Sequence, residues 1–380
     1  MQLGIAKPVK IGFKSKYSFF LISGTIHKVH RYPFYSGDMS EDDTLYIGID
    51  LGTFRSVMVS SAGHDEIELT VIGTPKDAIA RNFLKRDVLF GEEALKNRLA
   101  LNLFRPLEHG VIKDSSDDKK FIAHFIHHMI EMANPEEADN VVAVIGAPAE
   151  ASHVDKTAIF DAAAGTVNAA MIISEPFAVA YALDMIEHTL VVDMGAGTTD
   201  ICRVYGTIPG PEDQQHTQYA GDFVDNELIK NIQSKYVGAQ VTKDMARRWK
   251  EEHAFVSVAS PDNLIIVEFS IHGKSMELDI TDCMRDACES VVDPIVESVK
   301  SLISSANPEY HDSFRRNIVL GGGGSGIRGL GTILEQKLSE TGEVRVHVVD
   351  DAVTLGALGA LRLSMEVPQH MWKNLTLASR

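Results

Sequence analysis

The chain has 380 residues, 44% of them hydrophobic and 23% charged, so it can bury a large core divided between two or more domains. Its net charge of -17 at pH 7 disfavours a nucleic-acid backbone or direct insertion into an anionic membrane as its main interaction. Its three cysteines form neither an even disulfide framework nor a paired zinc spacing, which is typical of a cytoplasmic protein.

Residues 1–38 differ in composition from the rest of the chain. All their charged residues before Asp38 are basic, and a clear strand pattern begins only in the segment MSEDDTLYIGID. The apolar run YSFFLISG lacks the length and cleavage site of a secretory signal. We therefore predict that residues 1–42 are an N-terminal extension, either disordered or an artefact of a true start at Met39. A basic targeting segment is the alternative.

Short apolar runs then alternate with longer amphipathic stretches, a pattern typical of α/β architecture. The predicted strands are 45–50, 56–61, 67–72, 140–146, 189–194, 200–206, 264–270, 317–322 and 344–349. The predicted helices are 121–132, 151–164, 176–186, 222–235, 242–252, 282–304 and 352–364. Pro294 is expected to kink the longest of these helices, because proline removes a backbone hydrogen bond.

The segments GIDLGT (48–53) and VDMGAGTT (192–199) share one pattern: a strand, an Asp, one residue, a Gly, and a turn rich in hydroxyl groups. Glycines after a strand let successive backbone N–H groups point into one concavity that binds phosphate oxygens. Taken singly, such a turn is typical of an ordinary hairpin. Because the pattern recurs after 143 residues, it indicates two related domains that bind one polyphosphate in a shared cleft.

Asp50 and Asp193 stand beside these turns, where a carboxylate would repel a phosphate. At about 5 Å and an effective dielectric constant near 20, each pair of like unit charges repels by roughly 3 kcal/mol. A divalent cation reverses the sign, and Mg²⁺ is held in proteins by one or two carboxylates together with phosphate oxygens. The sequence therefore predicts a magnesium nucleotide as the ligand.

Glu175 lies at the start of the predicted helix in IISEPFAVAYALD, where Ser174 is suited to cap the helix and Pro176 suits its first turn. One interpretation is that these residues only favour the N-terminus of a helix. The functional hypothesis is that Glu175 positions or deprotonates the water that attacks the γ-phosphate.

The segment VLGGGGSGIRGL (319–330) places four glycines between an apolar strand and a helix. Bare backbone of this kind lets a flat ring lie against it, so we assign the run to the adenosine end of the nucleotide. A flexible loop is the alternative, which the well-defined flanking elements disfavour.

These motifs resemble the actin, Hsp70 and sugar-kinase superfamily, with 48–53 as its first phosphate loop, 193–199 as its second and 322–324 as its adenosine motif. Segments such as RPLEHGVIKD, GTIPGPEDQ and PQHMWKNL resemble the bacterial actins, most closely their magnetosome-associated branch, over roughly residues 43–375. The resemblance implies an actin-like ATPase fold of two α/β domains, each with a smaller inserted subdomain. Domain I would span 43–187 plus 351–375 with an insertion near 73–110, and domain II would span 188–350 with an insertion near 226–280.

The resemblance also implies the roles of individual residues. Asp50 and Asp193 would lie near Mg²⁺, Asp193 and Glu175 would be the catalytic residues, and Lys250 with Glu251 or Glu252 would contact the ribose and base. The residues it assigns to the nucleotide are Asp50, Gly52, Thr53, Phe54, Gly195, Ala196, Gly197, Thr198, Thr199, Lys250, Glu251, Gly322, Gly323 and Gly324.

The function implied is that of an ATPase that binds ATP and Mg²⁺ and joins head to tail into a cytoskeletal homopolymer. Adaptor proteins would link that filament to magnetosomes in the cytoplasm. An Hsp70-like chaperone ATPase is an alternative, although the chain leaves no room for a substrate-binding domain after its final helix. A sugar-kinase-like phosphotransferase is another, although no second carboxylate motif is evident as its base.

Overall fold

The structure, a computed structural model, describes residues 17–22, 25–30, 44–108, 111–112, 116–149, 151–350, 352–368 and 372. They form two compact units. The first unit holds the described residues of Arg31–Met185 and Val353–Arg380, and the second holds those of Tyr17–His30 and Ile186–Ala352. None of the helices among these described residues has the length and apolar character needed to cross a bilayer.

Two strands precede the first unit along the chain, β1 (Tyr17–Ile22) and β2 (Thr25–His30), and they pair as an antiparallel hairpin. The run YSFFLI is rich in aromatic residues, which favours a strand. Over these two strands the structure differs from the predicted disorder. The rest of 1–42 lies outside the described residues, and the start at Met39 stays a prediction.

The first unit contains a five-stranded sheet, a three-stranded sheet, a two-stranded sheet of β9 and β10, and six α-helices among its described residues. Its strands are β3 (Thr44–Leu51), β4 (Arg55–Ser60), β5 (Asp65–Leu69), β6 (Ile72–Pro75), β7 (Leu89–Phe90), β8 (Leu101–Phe104), β9 (Leu107–Glu108), β10 (Val111–Ile112), β11 (Asn140–Ala147) and β12 (Ala169–Ser174). Its helices are α1 (Ala78–Leu84), α2 (Gly91–Lys96), α3 (Ser116–Glu131), α4 (His153–Ala164), α5 (Glu175–Leu183) and, near the C-terminus, α12 (Leu355–Glu366).

The main sheet of the first unit has the order β12-β11-β3-β4-β5 and positions the first phosphate loop at the end of β3. Side chains alternate along β3, so Leu45, Ile47 and Ile49 enter the core formed with α3 and α4. Gly48 faces α12 instead, and a Cβ there would lie 2.2 Å from the Ala357 carbonyl oxygen. Glycine is therefore required at position 48 for α12 to pack on the sheet.

A small sheet of order β7-β6-β8 lies within Ile72–Phe104, together with α1 and α2. Leu89, Ala94 and Leu101 form its own small core. This is the region for which the sequence predicts a small insertion.

The second unit contains a seven-stranded sheet of order β1-β2-β20-β19-β13-β14-β15 and a three-stranded sheet of order β16-β17-β18. Its further strands are β13 (Thr189–Met194), β14 (Thr199–Val204), β15 (Gln214–Thr217), β16 (Ala239–Gln240), β17 (Ile266–Ile271), β18 (Lys274–Asp279), β19 (Ile318–Gly321) and β20 (Val346–Val349). Its helices are α6 (Gly221–Lys235), α7 (Lys243–His253), α8 (Thr281–Glu289), α9 (Val292–Ser305), α10 (His311–Arg315) and α11 (Leu330–Leu338).

The predicted long helix 282–304 is two helices, because α8 ends at Glu289 and α9 begins at Val292. The proline ring at position 294 would clash with the carbonyl of Ser290 in a continuous helix. The chain instead breaks near Ser290, which places Pro294 in the first turn of α9, where no backbone N–H is needed.

Candidate functional site

The first phosphate loop joins β3 to β4 in the first unit. A Cβ at Gly52 would lie 2.4 Å from the Arg55 carbonyl oxygen, so the turn accepts only glycine at this position. The Thr70 hydroxyl donates to the Gly52 carbonyl over 2.7 Å, and the Thr70 N–H donates to the carbonyl of Phe54 over 2.9 Å. The two hydrogen bonds from Thr70 therefore stabilise the loop that carries Thr53. Sequence reasoning did not identify Thr70.

Asp50 and Glu175 lie close together within the first unit. Asp50 pairs with Gly146 across β3 and β11, and Glu175 is the first residue of α5. A Cβ at Gly146 would lie 3.7 Å from Glu175 Cγ and 3.9 Å from Asp50 Cα. Ser174 occupies the N-cap position of α5, but its side chain makes no capping hydrogen bond, which corrects the predicted cap.

Asp50 is also bounded by α12. A Cβ at Gly356 would lie 2.5 Å from the Oδ2 atom of Asp50, so glycine at this position leaves space for the carboxylate. The sequence places Asp50 and Glu175 on separate motifs, and neither motif reveals that Gly146 and Gly356 lie beside them.

The second phosphate loop is the tight hairpin between β13 and β14. The Gly195 N–H donates to the carbonyl of Thr198 over 2.9 Å and closes the turn around Ala196 and Gly197. The Thr198 hydroxyl donates to Asp200 Oδ2 over 2.8 Å, and the Thr199 hydroxyl donates to the Tyr219 carbonyl over 2.9 Å. These two hydroxyl groups therefore brace the hairpin itself.

The glycine run after β19 lies directly against the second loop. Gly322 has a φ of 72°, and a Cβ there would lie 2.4 Å from Asp193 Oδ1. A Cβ at Gly324 would lie 2.3 Å from the Met194 side chain, whereas one at Gly323 would meet nothing within 4 Å. Gly322 and Gly324 thus allow the predicted adenosine motif and Asp193 to share one surface of the second unit.

Lys250 is connected to the second loop through the start of α6. Its Nζ atom donates to the Gly221 carbonyl over 2.6 Å and lies 2.7 Å from Asp225 Oδ1. The N–H groups of Gly221 and Asp222 in turn donate to the carbonyls of Gly195 and Ala196, over 3.1 and 2.7 Å. Lys250 therefore supports the helix on which the loop rests, while Glu251 beside it on α7 is exposed.

Asp225 is the residue of this network that sequence reasoning missed. It is fully buried, and burial raises the pKa of its carboxyl group, while the charges of Lys250 and Arg247 act in the opposite direction. A signal was present, because Asp225 shares the apolar face of α6 with Leu228 and Ile232. A carboxylate at such a position requires a cationic partner.

Replacing Lys250 with methionine should lower the free energy of unfolding by about 3 kcal/mol, because the buried Asp225 carboxylate would lose its nearest cation. Urea unfolding of the purified protein measures this, with the exposed Lys230→Met of α6 as the matched control. Equal midpoints for the two variants would show that the buried pair does not hold α6.

Comparison with known proteins identifies relatives over most of the chain. A family model described as MreB/Mbl protein matches residues 44–371. The actin-like protein MamK of Paramagnetospirillum magneticum is 39% identical over 340 residues, which cover 89% of this chain and 97% of that protein. MamK of Magnetospirillum gryphiswaldense is 38% identical, with 89% of this chain and 94% of that protein covered.

Solved structures give the same result. A structure titled "MamK double helical filament" has a TM-score of 0.81 at 39% identity and covers 86% of this chain and 100% of that one. A non-polymerising MamK mutant bound to AMPPNP has a TM-score of 0.71 at 39% identity, with the same coverage.

Proposed function

This chain belongs to the MreB/Mbl family and has the actin-like fold, and from that premise we propose that it is a bacterial actin that binds and hydrolyses Mg-ATP and polymerises into filaments. The observation that best supports the proposal is the packing of Gly322 and Gly324 on Asp193 and Met194, so that the predicted adenosine motif lies against the predicted second phosphate loop. The AMPPNP bound to the structurally similar MamK mutant supports the same ligand class.

We propose the following roles for the residues of the site. The backbone N–H groups of the two loops bind the phosphates, and the glycine run 322–324 accepts the adenosine. Lys250 and Glu251 are the candidates for the ribose and base. Glu175, at the N-terminus of α5, orients the attacking water and accepts its proton.

We propose Asp50 and Asp193 each as a candidate magnesium ligand, because Mg²⁺ prefers oxygen ligands and commonly takes one or two carboxylates. Glycine at positions 356 and 322 leaves the space that these two carboxylate groups themselves occupy. When bound, the ion supplies positive charge that neutralises the phosphate oxygens. The Thr198 and Thr199 hydroxyl groups of the second loop donate to Asp200 and to the Tyr219 carbonyl.

The partner of the chain is proposed to be the chain itself, in a head-to-tail polymer. An interface between two different surfaces generates such an open polymer. From the resemblance to the magnetosome-associated actins, we further propose that the filament lies in the cytoplasm and organises magnetosomes through adaptor proteins.

The direct test is sedimentation of the purified protein with ATP and magnesium, with phosphate release followed in the same samples. Magnesium- and ATP-dependent pelleting supports the filament. Phosphate release that a sugar stimulates, without pelleting, would instead identify a sugar-kinase-like phosphotransferase.

Asp193→Ala should weaken Mg-ATP binding by about tenfold or more, equivalent to about 1.4 kcal/mol, because a carboxylate proposed for the metal is removed. Titration of a fluorescent ATP analogue with and without magnesium measures this. Asp244→Ala is the control, since that carboxylate is 85% exposed on α7 of the same unit. An unchanged magnesium dependence in Asp193→Ala would remove Asp193 from the metal site.

A further inference from the structure

The small insertion of the first unit, Ile72–Phe104, joins the rest of that unit through two short segments, and both of them contact the first phosphate loop. Before the insertion stands Thr70, which is fully buried and whose hydroxyl donates to the Gly52 carbonyl. Ser56 Oγ lies 2.9 Å from Thr70 Oγ1. Because Thr70 has only one hydroxyl proton, Ser56 is the donor of this second bond. The loop, β4 and the start of the insertion therefore share one chain of hydrogen bonds.

After the insertion stands Arg105, which contacts the ring of Phe54 in the same loop. The Arg105 Cζ atom lies 5.4 Å from the Phe54 ring centroid, within the distance at which a guanidinium group is attracted to the face of an aromatic ring. The Cζ atom of Arg55 lies 5.3 Å from the same centroid. Arg55 is the next residue in the chain and is exposed, so of the two cations only Arg105 connects the loop to a distant segment.

The position of Arg105 is fixed by its neighbours in the chain. Phe104 stacks on Phe121 of α3, with ring centroids 4.3 Å apart and an angle of 23° between the ring planes. Leu107 is buried in the core that the main sheet forms with α3. Arg105 therefore reaches Phe54 from a segment that is anchored in the first unit, and Phe54 cannot shift far without losing this contact.

We propose that Phe54 and Arg105 are positioning residues for the nucleotide, an inference that rests on the proposed function. Their contact holds the loop in the conformation in which its backbone N–H groups bind phosphate. Because Thr70 and Arg105 stand at the two ends of the small insertion, a ligand that orders the loop also restricts the motion of Ile72–Phe104. Nucleotide binding is thus linked to the order of the insertion through one ring and one guanidinium group.

A double-mutant cycle on the binding of a fluorescent ATP analogue with magnesium tests the contact. Arg105→Ala should weaken binding about threefold, the scale of one cation–π contact, and Phe54→Leu should weaken it by as much. The two changes together should weaken it no further, and Phe54→Trp, which keeps an aromatic face, should bind like the unaltered chain. Arg55→Ala is the matched control, because it removes the same charge beside the same ring and should bind nearly normally. Equal losses in Arg105→Ala and Arg55→Ala, or additive losses in the double variant, would overturn the proposal.

Hydrogen exchange of the backbone amides in Ile72–Phe104 tests the link to the insertion, at protein concentrations below those that pellet. A saturating nonhydrolysable ATP analogue should slow this exchange in the unaltered chain and in Arg55→Ala, and should leave it unchanged in Arg105→Ala. Full protection in Arg105→Ala would contradict the link. If Arg105→Ala does not fold, Phe54→Leu carries the same comparison.

The same samples separate this inference from the proposed function. An unaltered chain that binds no ATP analogue would overturn the proposed nucleotide site and this inference together. Normal binding by the unaltered chain and by both Arg105→Ala and Phe54→Leu would overturn this inference alone.

Discussion

Glu175→Ala is expected to bind Mg-ATP with nearly unaltered affinity but to release phosphate at least roughly 100-fold more slowly, the scale of a lost general base. Glu175 begins α5, and its Cγ atom lies 3.7 Å from the ideal Cβ position of Gly146, beside the end of β3. The substitution removes the proposed proton acceptor without altering either predicted phosphate loop. Filaments of this variant should therefore persist after ATP is added, because hydrolysis would no longer weaken their contacts.

Phosphate release at saturating ATP and the time course of sedimentation are the two measurements. Glu131→Ala is the matched control, since Glu131 is exposed at the end of α3 in the same unit. Normal phosphate release in Glu175→Ala would remove Glu175 from the mechanism. Slow phosphate release with rapid filament disassembly would instead show that filament turnover does not depend on ATP hydrolysis.

The sequence predicted those parts of the fold in which a long apolar pattern coincides with a clear boundary. The strand TLVVDM was predicted at 189–194 and is β13 at Thr189–Met194. The predicted actin-like fold and the resemblance to the magnetosome-associated actins are confirmed by the family and structure matches. Short elements such as α1 and α2 were missed, because seven and six residues carry too little periodicity to be recognised.

The candidate site was predicted less completely, because the residues that pack around its motif residues come from distant segments of the chain. Asp50, Glu175 and Asp193 stand in recognisable motifs, whereas Thr70, Gly146 and Asp225 act through neighbours that only the fold brings near. The role assigned to Lys250 stays a prediction, and its observed partners are Gly221 and Asp225. That the two loops bind one nucleotide also stays a prediction.

Gly359→Ala is expected to lower the free energy of unfolding by about 2 kcal/mol, although alanine is the better helix former by about 1 kcal/mol. A Cβ at position 359 of α12 would lie 1.8 Å from the carbonyl oxygen of Ala178 and 2.6 Å from its carbonyl carbon. Both atoms belong to the backbone of α5, so no side-chain rotation relieves the clash. The two helices would have to separate, and the start of α5 carries Glu175.

The helices cannot separate freely, because their C-terminal ends are tied together. Arg362 of α12 donates to the Tyr181 carbonyl over 2.9 Å and to Asp184 over 3.0 Å. The strain of an added methyl group therefore stays where Gly359 of α12 packs on Ala178 of α5. Urea unfolding measures the loss, and Gly165→Ala is the control because its Cβ would meet only His127 Nε2, at an ordinary 3.8 Å. Equal midpoints would show that α12 can shift without cost. A loss of stability with slower phosphate release would show that the close crossing of α12 and α5 also places Glu175.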